Sequence, residues 1–172
     1  CIRDSHMAGD LARSGMRLYT CTGAPNPRRV AAYLVEKNLD IPTQAVSLRE
    51  GEHLRPPLSD LNPDRTLPFL VLDEGTLISE SVAICRYLEL CHPEPPMFGR
   101  DAREVGLAEM WLRRLELQLY QPVQDAYRNS RPGFAGRALP GHESGVKQIP
   151  ELVARSNATF KRTLGRLEAA LE

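Results

Sequence analysis

Apolar residues along the chain change their period several times, and each change marks an element. Met16 to Cys21 reads as a buried first strand. Thr22-Gly23-Ala24-Pro25-Asn26-Pro27 interrupts it with a loop, since Gly and two prolines punctuate the backbone. Arg28 to Asn38 then takes helical spacing, with Pro27 in its first turn and Val30, Leu34 and Val35 inward. Ile41 to Leu48 predicts a second strand. Arg49 to Leu61 is a polar, Pro-broken excursion that ends at Asn62-Pro63. Phe69 to Leu72 and Thr76 to Ile78 flank Asp73-Glu74-Gly75, a turn that closes a hairpin. Ser79 reads as an N-cap, with Val82, Cys85 and Leu88 on the inner face of the helix behind it.

His92-Pro93-Glu94-Pro95-Pro96 is a Pro-rich linker, so a domain over 16–93 ends here and a second, over 100–172, begins beyond it. Asp101 and Glu104 form a capping box. Val105, Ala108, Leu112, Leu115 and Leu119 follow as a helical stripe flanked by Trp111, and Pro122 is expected to kink or end that helix. Arg131 to Ile149, rich in Gly and Pro, reads as a loop. Pro150 opens a last helix with Phe160, Leu164, Leu167 and Leu171 on one face. Residues 1–15 read as a disordered arm or tag, with Ser5-His6-Met7 like a cloning junction. The predicted fold class is α/β plus all-α.

Charge and cysteine usage narrow the function. Lys+Arg and Asp+Glu both total 22 in 172 residues, so no broad field for nucleic acid is expected. No apolar run approaches the roughly 20 residues of a membrane span. Cys1, Cys21, Cys85 and Cys91 lack paired spacing, so no metal site is signalled and a reduced cytoplasm is the default.

Chemistry concentrates around the hairpin. Pro68 opens a strand, where it cannot donate to a ladder, and X-Pro bonds are those that turn cis at modest cost. A cis bond there leaves the backbone of Leu67 for a ligand. Glu80-Ser81 at a helix start offers a carboxylate, a hydroxyl and free amides together. That set suits a zwitterion, with the carboxylate taking an ammonium and the hydroxyl and amides a carboxylate.

Leu67-Pro68 followed by Ile78-Ser79-Glu80-Ser81-Val82-Ala83-Ile84-Cys85-Arg86-Tyr87-Leu88 closely resembles the N-terminal domain of cytosolic glutathione transferases, of bacterial type. The resemblance covers Met16 to about Pro93 and implies a thioredoxin-like domain followed by a helical one. It implies a cis Pro68, a γ-glutamyl end held by Glu80 and Ser81, and glutathione as co-substrate. In Gly51-Glu52-His53-Leu54-Arg55-Pro56 it implies that His53 meets the glycyl carboxylate, with Arg55 standing in for a lysine whose place reads Leu54.

At the sulfur the match departs from the family. The usual Ser or Cys position falls on Ala24, which has nothing to activate a thiol. Asn26 through its amide N–H, or Thr22 through its hydroxyl, are the candidate donors to a thiolate. Cys21 is the candidate for a mixed disulfide, against a buried inert thiol. The expected function is conjugation of glutathione thiolate to hydrophobic electrophiles, or reduction of disulfides or peroxides with it. The alternative is a non-catalytic glutathione-binding or regulatory protein on the same scaffold. A homodimer in the cytoplasm is expected, and the chain stops earlier than the family, so a C-terminal part is expected to be absent.

Overall fold

The computed structural model describes residues 15–171 and divides into two compact units, which meet in sequence between Met97 and Phe98. The arm read over residues 1–15 lies, except for Gly15, outside the described residues.

In the first unit the order is β1 (Arg17–Thr20), α1 (Pro25–Glu36), β2 (Thr43–Ala45), a 3-10 turn (Glu52–Leu54), α2 (Leu58–Leu61), β3 (Phe69–Val71), β4 (Leu77–Ser79) and α3 (Ser81–Cys91). The sheet runs β2-β1-β3-β4, with β1 parallel to β2, antiparallel to β3, and β3 antiparallel to β4. Parallel neighbours need a long crossover, which α1 supplies. Between β1 and β3, Tyr19 lies opposite Phe69 and their rings stack at 4.5 Å. Helix α3 packs on α1 and runs along β3 and β4. Val30, Phe69, Leu70, Ile84 and Leu88 are 0–1% exposed and anchor the core. Each such side chain contributes about 1.5–3 kcal/mol of burial.

Several element ends differ from the pattern, each for a local reason. Helix α1 starts at Pro25 rather than Arg28, because a proline's fixed φ suits a first turn. It ends at Glu36, before Asn38 turns left-handed at φ 52°. Val35 faces out, 77% exposed, rather than inward. Of the expected strand Ile41 to Leu48 only Thr43–Ala45 pairs, while buried Ile41 and Val46 flank it. Ser79 is not the N-cap: it pairs with Phe69 as the last residue of β4, which leaves the cap position to Glu80. The Pro-broken excursion holds the 3-10 turn and α2, and it ends at Asn62, 1% exposed. Asn62 Nδ2 donates to the Thr66 carbonyl at 2.9 Å and its Oδ1 accepts from the Asp64 N–H at 3.2 Å, which fixes the approach to β3.

A buried polar knot closes this unit. The Lys37 side chain, 0% exposed, pairs with Glu89 at 2.6 Å and donates to the His92 carbonyl at 2.7 Å. Glu89 also accepts from the Tyr33 hydroxyl at 2.5 Å and the Met97 N–H at 2.7 Å. Burial, reinforced by Glu89, pushes the Tyr33 phenol well up. Burial, followed by the Lys37 charge, pulls His92 down.

The second unit contains α4 (Ala102–Leu115), a π-helical turn (Glu116–Tyr120), α5 (Gln121–Ser130), a 3-10 turn (Pro132–Phe134) and α6 (Pro150–Leu171). Asp101 Oδ1 caps α4 by accepting from the Glu104 N–H at 2.8 Å. Glu104 reaches back one residue further than expected, accepting from the Arg100 N–H at 2.8 Å. Gly99 sits at φ 105°, where an added Cβ falls 2.6 Å from the Val105 nitrogen, so only glycine fits. The helical run continues past Pro122, and the widened π turn ahead of it accommodates a ring that clashes with a regular i−4 carbonyl. Helices α5 and α6 pack together. The loop between them is pinned to α5: the Arg128 guanidinium donates to the carbonyls of Arg137, Ala138 and Leu139 at 2.7–2.9 Å and stacks 4.4 Å from the Phe134 ring.

Candidate functional site

Strand register gathers the predicted residues at one end of the sheet. Tyr19 is opposite Phe69 and Phe69 is opposite Ser79, so three segments emerge side by side: the loop after β1, the approach to β3 and the start of α3. These segments carry Cys21 and Thr22, Leu67 and Pro68, and Glu80 and Ser81. Because β2 runs parallel to β1, with Ala45 opposite Thr20, the chain bearing His53 and Arg55 leaves from the same end. The Leu67–Pro68 bond is cis. Leu67 is half-buried and Pro68 buried.

Glu80 carries an unusual backbone, φ 70° and ψ 121°, in passing from β4 directly into α3. For a residue with a Cβ such a conformation costs about 1–3 kcal/mol and persists where the surroundings over-determine it, commonly at ligand sites. Its carbonyl accepts the first bond of α3 from the Ile84 N–H at 3.0 Å, while the residue itself is exposed. An exposed carboxylate beside the first amides of an 11-residue helix pairs an ammonium acceptor with anion donors.

Ser81, 2% exposed, turns its hydroxyl toward α1. There it accepts from Arg29 Nη1 at 2.7 Å and donates to Asn26 Oδ1 at 3.3 Å, and the same Nη1 donates to Asn26 Oδ1 at 3.2 Å. Asn26 and Ser81, 55 positions apart, are thereby brought together. Ala24 occupies the N-cap of α1 and makes no side-chain cap bond. Thr22 is exposed, before Gly23 at φ 83°. Burial raises the Cys21 thiol, which opposes its acting as a ready thiolate. Burial likewise raises the Cys85 thiol, to about 11, with the Arg29 charge acting in the opposite direction.

His53 is partly buried in the 3-10 turn Glu52–Leu54, and exposed Arg55 follows it in extended conformation. Glu52 braces this loop by accepting from the Ser47 N–H at 2.6 Å. Sequence reasoning missed two residues of the neighbourhood, Arg29 and Asn62. Asn62 read as a turn former before proline. Arg29 falls within the helix read over Arg28 to Asn38, and no local spacing links it to a serine 52 positions away.

An α/β sheet of thioredoxin-like order, with a cis-proline and a Glu-Ser pair converging at one end, followed by a helical unit, defines the class: a two-part, thioredoxin-like protein. Residues 18–96 match the family model described as glutathione S-transferase, N-terminal domain. The glutathione S-transferase 2 of Saccharomyces cerevisiae is 35% identical over 128 residues, which is 73% of this chain and 55% of that protein. The maleylacetoacetate isomerase of Pseudomonas aeruginosa is 39% identical over 101 residues, 55% of this chain and 48% of that protein. The crystal structure of Gtt2 from Saccharomyces cerevisiae superposes with a TM-score of 0.78 at 29% identity, covering 90% of this chain and 73% of that one. Residues 18–96 belong to the glutathione S-transferase N-terminal domain family, and the chain as a whole is similar to cytosolic glutathione S-transferases. It spans about half the length of the curated relatives it matches.

Proposed function

We propose that the protein binds glutathione at this sheet end and transfers it, as thiolate, to hydrophobic electrophiles. Glu80 takes the γ-glutamyl ammonium, and the backbone N–H of Ser81 with the other first amides of α3 takes its carboxylate. The Leu67 backbone beside Pro68 pairs with the cysteinyl unit, and His53 and Arg55 face the glycyl carboxylate. Asn26, assisted by Thr22, donates to the sulfur. The thiol proton leaves to solvent, and the thiolate forms a carbon–sulfur bond as the electrophile expels its leaving group or takes up a proton. Lowering a thiol pKa by ~2 units needs about 2.7 kcal/mol, within the range of one or two good donors. Attack on a disulfide or peroxide is the same nucleophile used on a different acceptor. The raised Cys21 thiol favours glutathione sulfur over the protein's own as that nucleophile.

The observation that carries this reading is the left-handed Glu80 at the mouth of α3, beside a hydroxyl held in place by α1. The same reading makes the protein a cytoplasmic homodimer. Glutathione is expected to raise the thermal midpoint, and Glu80→Gln to remove most of that rise. Loss of a charged partner from such a site costs about 2–5 kcal/mol of binding. Equal shifts in both proteins would sink the assignment.

A further inference from the structure

We infer that Arg29 is a positioning residue for thiol activation, fixing the Asn26 amide so that its N–H, and not its oxygen, is presented to the glutathione sulfur. The inference rests on the glutathione reading above. Its basis is the geometry of three side chains. Asn26 Oδ1 has two donors aimed at it, Arg29 Nη1 at 3.2 Å and the Ser81 hydroxyl at 3.3 Å. A flipped amide would set its NH2 against both of them, so one orientation is selected and Nδ2 is turned away from the pair. A thiolate needs a donor, and an amide free to rotate presents its oxygen, which repels the anion, in part of its population. Arg29 holds a second member at the same time, since its Nη1 also reaches the Ser81 hydroxyl at 2.7 Å, at the start of α3. The guanidinium therefore ties together the first turns of α1 and α3, alongside the Ser81–Asn26 hydrogen bond.

Several titratable groups lie along the seam between these helices. Arg29 and Tyr33 come from α1 and Lys37 from its C-cap, and Cys85 and Glu89 come from α3. Lys37 and Glu89 pair with each other at the far end. Cys85 and Tyr33 stay protonated near neutrality, because burial raises both. A change in thiolate formation on altering Arg29 is therefore not relayed through them in that range.

The test reads the thiol pKa of bound glutathione from thiolate absorbance between pH 5 and 9, beside the dissociation constant by calorimetry. In Arg29→Met the thiol pKa is expected to rise by about one unit, a tenfold loss of thiolate at a fixed pH below it, while affinity changes less than about threefold. In the Asn26→Ala background the same substitution is expected to add no further shift, because it acts through Asn26. Arg29→Gln, neutral but of similar reach, is read in parallel in case the Met variant does not fold, and the same direction is expected. A thiol pKa unmoved in the folded neutral variants overturns the inference, as does a shift that adds to that of Asn26→Ala. Both results leave the glutathione reading intact. Failure of the wild-type protein to bind glutathione overturns that reading itself, and the inference with it.

Discussion

At Lys37 an ammonium is shut away from solvent and tolerated only because Glu89 and the His92 carbonyl receive it at 2.6 and 2.7 Å. Removing one member of such a pair leaves the other charge uncompensated, so Lys37→Met is expected to cost about 3 kcal/mol in urea denaturation. The double variant Lys37→Met, Glu89→Leu should recover part of that loss. Cys85 gives a pH dependence with a definite sign. Its folded pKa of about 11 lies above the ordinary 9.0, so its contribution is complete below pH 9 and is lost as pH rises toward 11. Stability measured at pH 8 and pH 10.5 should fall less in Cys85→Val than in the wild type. What the sequence offered at this scale were candidates, since Glu80, Ser81 and Pro68 stand out by type and order and the sheet register brings them to one end. What it concealed were partnerships made in three dimensions. The Arg29–Ser81 bond joins positions 52 apart, and the left-handed φ of Arg65 and Glu80 is carried by residues that ordinarily avoid it.

At the scale of elements, periodicity was legible where a helix face is buried and weak where tertiary pairing decides. The stripe Val82, Cys85 and Leu88 marked α3, of which Cys85 and Leu88 are buried. The apolar signal of the second strand came from Ile41 and Val46, which flank it, whereas the three paired residues are all exposed. An edge strand needs backbone pairing more than apolar side chains. The π turn ahead of Pro122 had no sequence sign, because a proline in a helical stretch reads as a break whichever way the backbone adapts. The capping box was legible, and its worth can be measured: Asp101→Ala removes an acceptor 2.8 Å from the Glu104 N–H and should cost about 1 kcal/mol by thermal denaturation.

At the scale of the molecule, the order of strands and helices was legible as thioredoxin-like followed by helical, because turn residues separated short runs of distinct period. The expected inward face of α6 is far more open than its spacing implied, with Leu164 42% and Leu171 80% exposed. On α4, Val105 and Leu107 are 38% and 40% exposed. Apolar surface of this kind accords with the proposed homodimer, closed two-fold pairing being the commonest form of assembly. Light scattering at micromolar concentration should give twice the chain mass, and a monomer mass would reject the dimer. The central claim, that the protein activates glutathione through Asn26 rather than merely holding it, is tested most directly by turnover of a chlorinated dinitrobenzene with glutathione. The account predicts a wild-type rate well above the reaction in buffer, reduced on the order of 10²-fold by Asn26→Ala, less by Thr22→Val and hardly at all by Cys21→Ser. A wild-type rate no faster than buffer, alongside a glutathione-dependent rise in thermal midpoint, would contradict it.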